Sequence, residues 1–288
     1  MLTLFPRLFP SIPPPSLVPQ LADTCELGLA RLEWLETEFP TSQASCGDLP
    51  DTVDPAPAFP PNLYTPDQLF GILMASAQAV GPSDGAVVRP APAGHRSLFE
   101  RYRALFTLRK RALDAHLSEP ERTAAADLLG KCLSAPGSSL LRHEVAFVLG
   151  QLAMPSTADY LIACIKAGPP TSPKQHSSTE NGSTSPSTSR SAGASVTGEH
   201  SMVRHEAAEA LGAVLGEARL SEADEELAAV SRRAMACLQA GLHDPVQVVR
   251  ESCVLALDIA EYVASKDQLQ YADVPKLKEV LPSKATVN

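Results

Sequence analysis

The chain has 288 residues, is 44% hydrophobic and 20% charged, and carries a formal net charge of -9. That length and balance are those of soluble globular sequence in one or two domains. The acidic surplus disfavours nucleic acid and anionic membrane as partners and suits a basic or polyamine-like one, and no stretch offers the ~20 uninterrupted apolar residues of a membrane helix.

Residues 1–21 are broken by Pro6, Pro10, Pro13, Pro14, Pro15 and Pro19, and read as a disordered, proline-rich segment. A helix follows over 22–37. Its Glu26 to Trp34 portion matches Val254 to Tyr262 in register around Cys25 and Cys253, so it reads as the last helix of an earlier array whose body is absent. Residues 38–97 read as a linker with one helix near 66–80, opened by Thr65 as cap, Pro66 in the first turn and Gln68.

From 98 to 167 the sequence turns to paired helices. Arg101-Tyr102-Arg103 opens one, Ser118 and Glu121 form a capping box for the next, and Leu140 to Leu152 forms a third; Ser156 and Asp159 are the expected caps of a fourth. Residues 168–200 are a Ser/Thr/Pro/Gly-rich insert of low complexity. Paired helices resume over 201–265, with Ser221 and Asp224 as caps and a last helix starting near Pro245, and 266–288 form a tail. The expected fold is all-α, an α-solenoid of HEAT-like helix pairs with long disordered linkers.

One phrase is written twice. Leu141-Arg142-His143-Glu144-Val145-Ala146 returns as Val203-Arg204-His205-Glu206-Ala207-Ala208, and each copy continues to a Leu-Gly at Gly150 and Gly212. At 100° per residue, Leu141, Val145, Val148, Leu149 and Leu152 form one apolar stripe, as do Val203, Ala207, Ala210, Leu211 and Val214. His143 and His205 project away from that stripe, with Glu144 and Glu206 on its flank. An ordinary polar outer face has no need of the same two residue types at the same phase twice. Imidazole beside carboxylate is a metal-ligand arrangement suited to iron, zinc or manganese. Glu209, one turn after His205, reads first as an exposed helix carboxylate and second as a partner for that imidazole. The six cysteines have no C-x-x-C spacing and read as reduced thiols, which points to the cytoplasm, with nuclear access.

The opening Leu98 to Phe106, the two Arg-His-Glu copies, Val249-Arg250-Glu251-Ser252-Cys253 and Gln270-Tyr271-Ala272-Asp273 together resemble one family, the deoxyhypusine hydroxylases, from about residue 22 to 275. Arg31 to Leu35 and Val53 to Pro57 resemble that family's junction between halves. The resemblance implies a HEAT-repeat monooxygenase whose two halves each carry two His-Glu motifs and hold a di-iron centre between them. It implies Fe2+ as cofactor, dioxygen as co-substrate and the deoxyhypusine side chain of a translation factor as substrate, hydroxylated to hypusine. His143, Glu144, His205 and Glu206 would then be metal ligands or carboxylates facing the metal and the cationic substrate, with Glu144 and Glu206 as the catalytic carboxylates. The family's first two motifs are expected before Ala22, where nothing matches them. Three accounts stand: an incomplete or misjoined gene product, favoured by the proline-rich start; a homodimer that rebuilds the centre; or a chain without catalysis. The alternative to the enzyme is a non-catalytic helical-repeat module that binds protein.

Overall fold

The computed structural model describes residues 19–37, 54–75, 96–170, 198–220 and 224–264. Among these the secondary structure is helical: α1 (Pro19–Thr37), α2 (Pro66–Leu73), α3 (Leu98–Leu113), α4 (Glu119–Lys131), α5 (Ser139–Leu152), α6 (Ala158–Lys166), α7 (Ser201–Arg219), α8 (Glu225–Gly241) and α9 (Gln247–Ala264). Residues 171–197, most of the low-complexity insert, lie outside the described residues, as do 1–18, 38–53, 76–95, 221–223 and 265–288.

Local chemistry sets the helix starts. Thr65 with Gln68, Ser97 with Glu100 and Ser118 with Glu121 all form capping boxes, in which the cap side chain and the N3 side chain each satisfy a free backbone N–H. Asp224 accepts from the N–H groups of Glu226 and Leu227 at the start of α8. The expected cap at Ser156 is replaced by a 3-10 turn, Pro155–Thr157, that leads into α6. Asp159 is drawn instead to Arg233 of α8, at 3.1 Å and 3.3 Å.

Helices α2 and α3, α4 and α5, α6 and α7, and α8 and α9 form successive pairs, and the second members α3, α5, α7 and α9 lie side by side as one inner row. This is an α-solenoid. Its core is a continuous apolar seam in which Leu105, Leu108, Leu141, Val145, Leu149, Val203, Leu211 and Val214 are fully buried. Helix α1 packs on α3 and α5. Residues 54–64 run along α3, where Ala56 is fully buried and the Phe59 N–H donates to Thr107 Oγ1 at 2.9 Å. Gly168 O accepts from Glu199 N–H at 2.9 Å, which brings the end of α6 beside the start of α7.

The arginine at the same phase of each inner helix has one job. It binds backbone carbonyls, at the C-terminal end of the outer partner for Arg101 and Arg204 and in the loop joining the pair for Arg142 and Arg250. Arg101 donates to Leu73 O (3.0 Å), Arg142 to Ala135 O (3.1 Å), Arg204 to Ile165 O (2.8 Å) and Arg250 to Asp244 O (2.7 Å). Helix C-termini leave carbonyls without intrahelical donors, and a guanidinium supplies several at once. Arg101 and Arg204 do this while buried. Arg204 also pairs with Asp244. Burial raises the Asp244 carboxyl, but Arg204 and the Val246 N–H more than offset it and hold it below the usual range.

The repeated glycines have an equally local cause. A Cβ on Gly150 would stand 3.1 Å from the Cα and Cβ of Ala210, and one on Gly212 would stand 2.8 Å from Ala256 Cα and 2.7 Å from its Cβ. Neighbouring inner helices therefore meet glycine to alanine, at the closest spacing side chains allow.

Two stability measurements check these readings. Gly212→Ala should destabilise in urea by about 1–3 kcal/mol through overpacking, whereas Gly150→Ala should be near neutral because the helix-propensity gain of about 1 kcal/mol offsets a smaller shift. Equal effects would contradict the assignment. Asp244→Asn should cost about 3–5 kcal/mol by leaving Arg204 buried without its counter-charge. Because the native Asp244 pKa is depressed, this stabilisation is present above the unfolded carboxylate range and lost as pH falls through the native pKa, so wild type and variant should converge in acid.

Candidate metal centre

The close crossing of α5 and α7 brings their N-terminal turns together. His143 and His205 stand at equivalent positions, one turn inside each helix, and their rings lie 5.5 Å apart between centroids. His143 Nε2 is 3.2 Å from Glu206 Oε2, across from one inner helix to the next. Potential ligand atoms of His143, His205 and Glu206 all lie within 4.8 Å of one another. Donor atoms around one first-row ion, with bonds of about 2.1 Å, span about 4 Å. The three side chains thus suit a single ion. Two imidazoles and one carboxylate are the donor set of non-haem iron sites that keep open positions. Glu206 is 12% exposed, and the two histidines are 25% and 23% exposed, half-buried rather than on an open outer face.

Glu144 is close by but is not one of the three. Among the described residues no hydrogen bond or ion pair holds its carboxylate. Burial pushes its carboxyl above the usual carboxylate range; His143 pulls it back, Glu206 and Asp54 push it further up, and Arg109 pulls it down. The sequence offers Asp54 only within the Val53 to Pro57 stretch and gives no signal for Arg109. Arg109 Nη2 donates to Asp54 Oδ2 at 2.7 Å and its Nη1 to Gln151 Oε1 at 3.1 Å, fastening residue 54 beside α5. The periodic pattern carried no signal for Asp54, which lies outside any helix.

The flanking repeats fill the ligand phase with other side chains. In α3 that phase is Tyr102-Arg103. Tyr102 is buried and donates to Leu140 O at 3.2 Å, while Arg103 lies 4.4 Å over the Phe59 ring and donates to Pro57 O. In α9 it is Glu251-Ser252, and Ser252 Oγ donates to Glu209 Oε1 at 2.9 Å. Glu209, read from sequence chiefly as a solvated carboxylate, is thus held in place, 3.5 Å from His205 Nδ1.

The N-termini of the inner helices are also pinned by α1. Ser138, the cap of α5, donates to Asp23 Oδ2 at 2.6 Å, and Gln20 Nε2 reaches both Ser139 Oγ (3.1 Å) and His200 Nε2 (3.2 Å), where His200 caps α7.

Fold and site together define an α-solenoid with a two-histidine, one-carboxylate cluster seated between adjacent inner helices. No family model matches the chain. Its sequence is 36% identical over 256 residues to the deoxyhypusine hydroxylase of Mus musculus, covering 89% of this chain and 59% of that protein. It is 34% identical over 257 residues to the deoxyhypusine hydroxylase of Gibberella zeae, covering 89% and 57%. A solved structure of human deoxyhypusine hydroxylase in complex with glycerol aligns at 31% identity and a TM-score of 0.49, over 84% of this chain and 57% of that one. The chain is similar to these deoxyhypusine hydroxylases over 89% of its own length and spans a little under three-fifths of the length of those relatives.

If these three side chains take an ion, Co2+ should stabilise the protein by mass action, by about 2.7 kcal/mol at a free concentration 100-fold above its dissociation constant. His143→Ala should abolish the effect in thermal unfolding without loss of helix content. Undiminished stabilisation in that variant would remove His143 from the site.

Proposed function

We propose that the chain supplies one metal-binding array of a deoxyhypusine hydroxylase, an iron-dependent monooxygenase that uses dioxygen to hydroxylate the deoxyhypusine side chain of a translation factor. One observation carries the reading: His143 and Glu206, from separate repeats of one sequence phrase, meet at 3.2 Å with His205 beside them. The kinship with deoxyhypusine hydroxylases over 89% of the chain supports the choice of reaction.

In this reading His143, His205 and Glu206 hold Fe2+, and Glu206 is both ligand and catalytic carboxylate. When bound, iron supplies the activation of dioxygen that the side chains of the protein cannot perform alone. Glu144 takes the substrate. Burial, reinforced by Glu206 and Asp54, lifts its carboxyl above the usual carboxylate range. A substrate ammonium beside these carboxylates would supply the counter-charge they lack, so the site favours a cationic side chain over a neutral one. Arg109 is engaged by Asp54 and Gln151, so part of its charge is already compensated near Glu144.

Two repeats offer at most half of the ligand set of a two-iron centre. A second copy of the chain, facing the first, is the proposed source of the rest. The setting is the cytoplasm, with nuclear access, in keeping with the unpaired thiols of Cys25, Cys132, Cys164, Cys237 and Cys253.

Iron content and molar mass, measured on the same chromatographic peak, test this. The reading expects about one iron per chain in a dimer, and loss of that iron in His205→Ala. An iron-free monomer that still binds a protein partner after both histidines are replaced would favour a non-catalytic binding array.

A further inference from the structure

His205 Nδ1 is buried and has no hydrogen-bond partner, which is unusual for a buried ring nitrogen. Its nearest acceptor is Glu209 Oε1 at 3.5 Å, and that same oxygen accepts from Ser252 Oγ at 2.9 Å. The three groups come from two inner helices. Glu209 lies one turn after His205 on α7, and Ser252 reaches across from α9.

The repeat makes this arrangement specific to the second copy. The residue at the phase of Glu209 in the first copy is Phe147, which is 43% exposed and cannot accept a hydrogen bond. The residue in α9 at the phase of Glu144 and Glu206 is Ser252. Where the two His-Glu repeats carry a carboxylate at this phase, the last carries a hydroxyl that holds a carboxylate of its neighbour.

We propose that Glu209 is the positioning residue of His205: its carboxylate accepts the Nδ1 proton, so that the imidazole is kept as the Nδ1–H tautomer with Nε2 unprotonated and turned toward His143 and Glu206. Ser252 fixes the carboxylate by donating to the oxygen that faces the ring. A histidine can ligate only through a nitrogen free of its proton, and the partner of the other nitrogen decides which one that is. Contraction of the 3.5 Å separation by a few tenths of an ångström completes the bond. The inference rests on the metal reading above for its purpose, but the tautomer itself is independent of any bound ion.

The test has two arms. In metal-free protein labelled with 15N-histidine, at about pH 8 where free imidazole is neutral, the ring shifts of His205 report its tautomer, with the signal assigned by its absence in His205→Gln. Wild type should be Nδ1-protonated, Glu209→Ala should shift toward a mixture dominated by the Nε2-protonated form, and Glu209→Gln, whose amide oxygen can still accept, should remain close to wild type. A wild-type ring protonated at Nε2, or a tautomer unchanged in Glu209→Ala, overturns the proposal. In the second arm Co2+ is titrated into the same proteins. Loss of such a partner should weaken binding by about 10–100-fold in Glu209→Ala and by less in Ser252→Ala. Equal affinity in wild type and Glu209→Ala overturns the positioning role. If wild type binds no Co2+ while the tautomer still follows Glu209, the metal reading fails and the Glu209–His205 coupling stands.

Discussion

Gly150 faces Ala210 and Gly212 faces Ala256, and at these two crossings the inner helices meet with no side chain larger than a methyl between them. Helices ordinarily pack with axes 8–10 Å apart, the distance set by the side chains at the contact, and glycine against alanine gives the close end of that range. A histidine on one helix and a glutamate on the next can then approach within hydrogen-bond reach. A leucine at the Gly150–Ala210 crossing would widen the spacing of α5 and α7 and separate His143 from Glu206. The Leu-Gly of the repeated phrase is therefore as much a part of the candidate centre as its ligands, although it lies about two turns away from them.

Each crossing must also be held in register along the solenoid. The repeated arginines do this by tying each inner helix to carbonyls at the end of its outer partner or in the loop that joins the two. The binding residues sit at the N-terminal ends of α5 and α7, which are the ends that α1 clamps through Gln20 and Asp23. The cluster is thus built on helix positions fixed from three sides, by the neighbouring inner helix, the outer helix and α1. Rigid support of this kind is what a ligand set needs if the metal is to dictate little of its own geometry.

Much of this was legible in the sequence because periodicity and repetition are strong signals. The stripes Leu141-Val145-Val148-Leu149 and Val203-Ala207-Ala210-Leu211 are buried as expected, and the capping boxes at Thr65, Ser97 and Ser118 open the helices they accompany. What escaped was information carried between elements. The helical phase of His143 gives its direction relative to its own helix but not the neighbour it meets, so the crossing that half-buries it had to come from packing. Asp159 looked like a cap and is instead an ion-pair partner of Arg233, since a carboxylate in the first turn serves either end. Ser252 interrupts the His-Glu pattern, and only the spacing of α7 and α9 shows that the interruption supports Glu209.

The measurement that bears most directly on this account is anomalous diffraction at the iron edge from crystals loaded anaerobically with Fe2+. The account predicts a peak bounded by His143, His205 and Glu206, with Glu144 outside its coordination and Glu209 against the far nitrogen of His205. A peak elsewhere on the chain, or none at full loading, would contradict the claim that the crossing of α5 and α7 makes a metal centre.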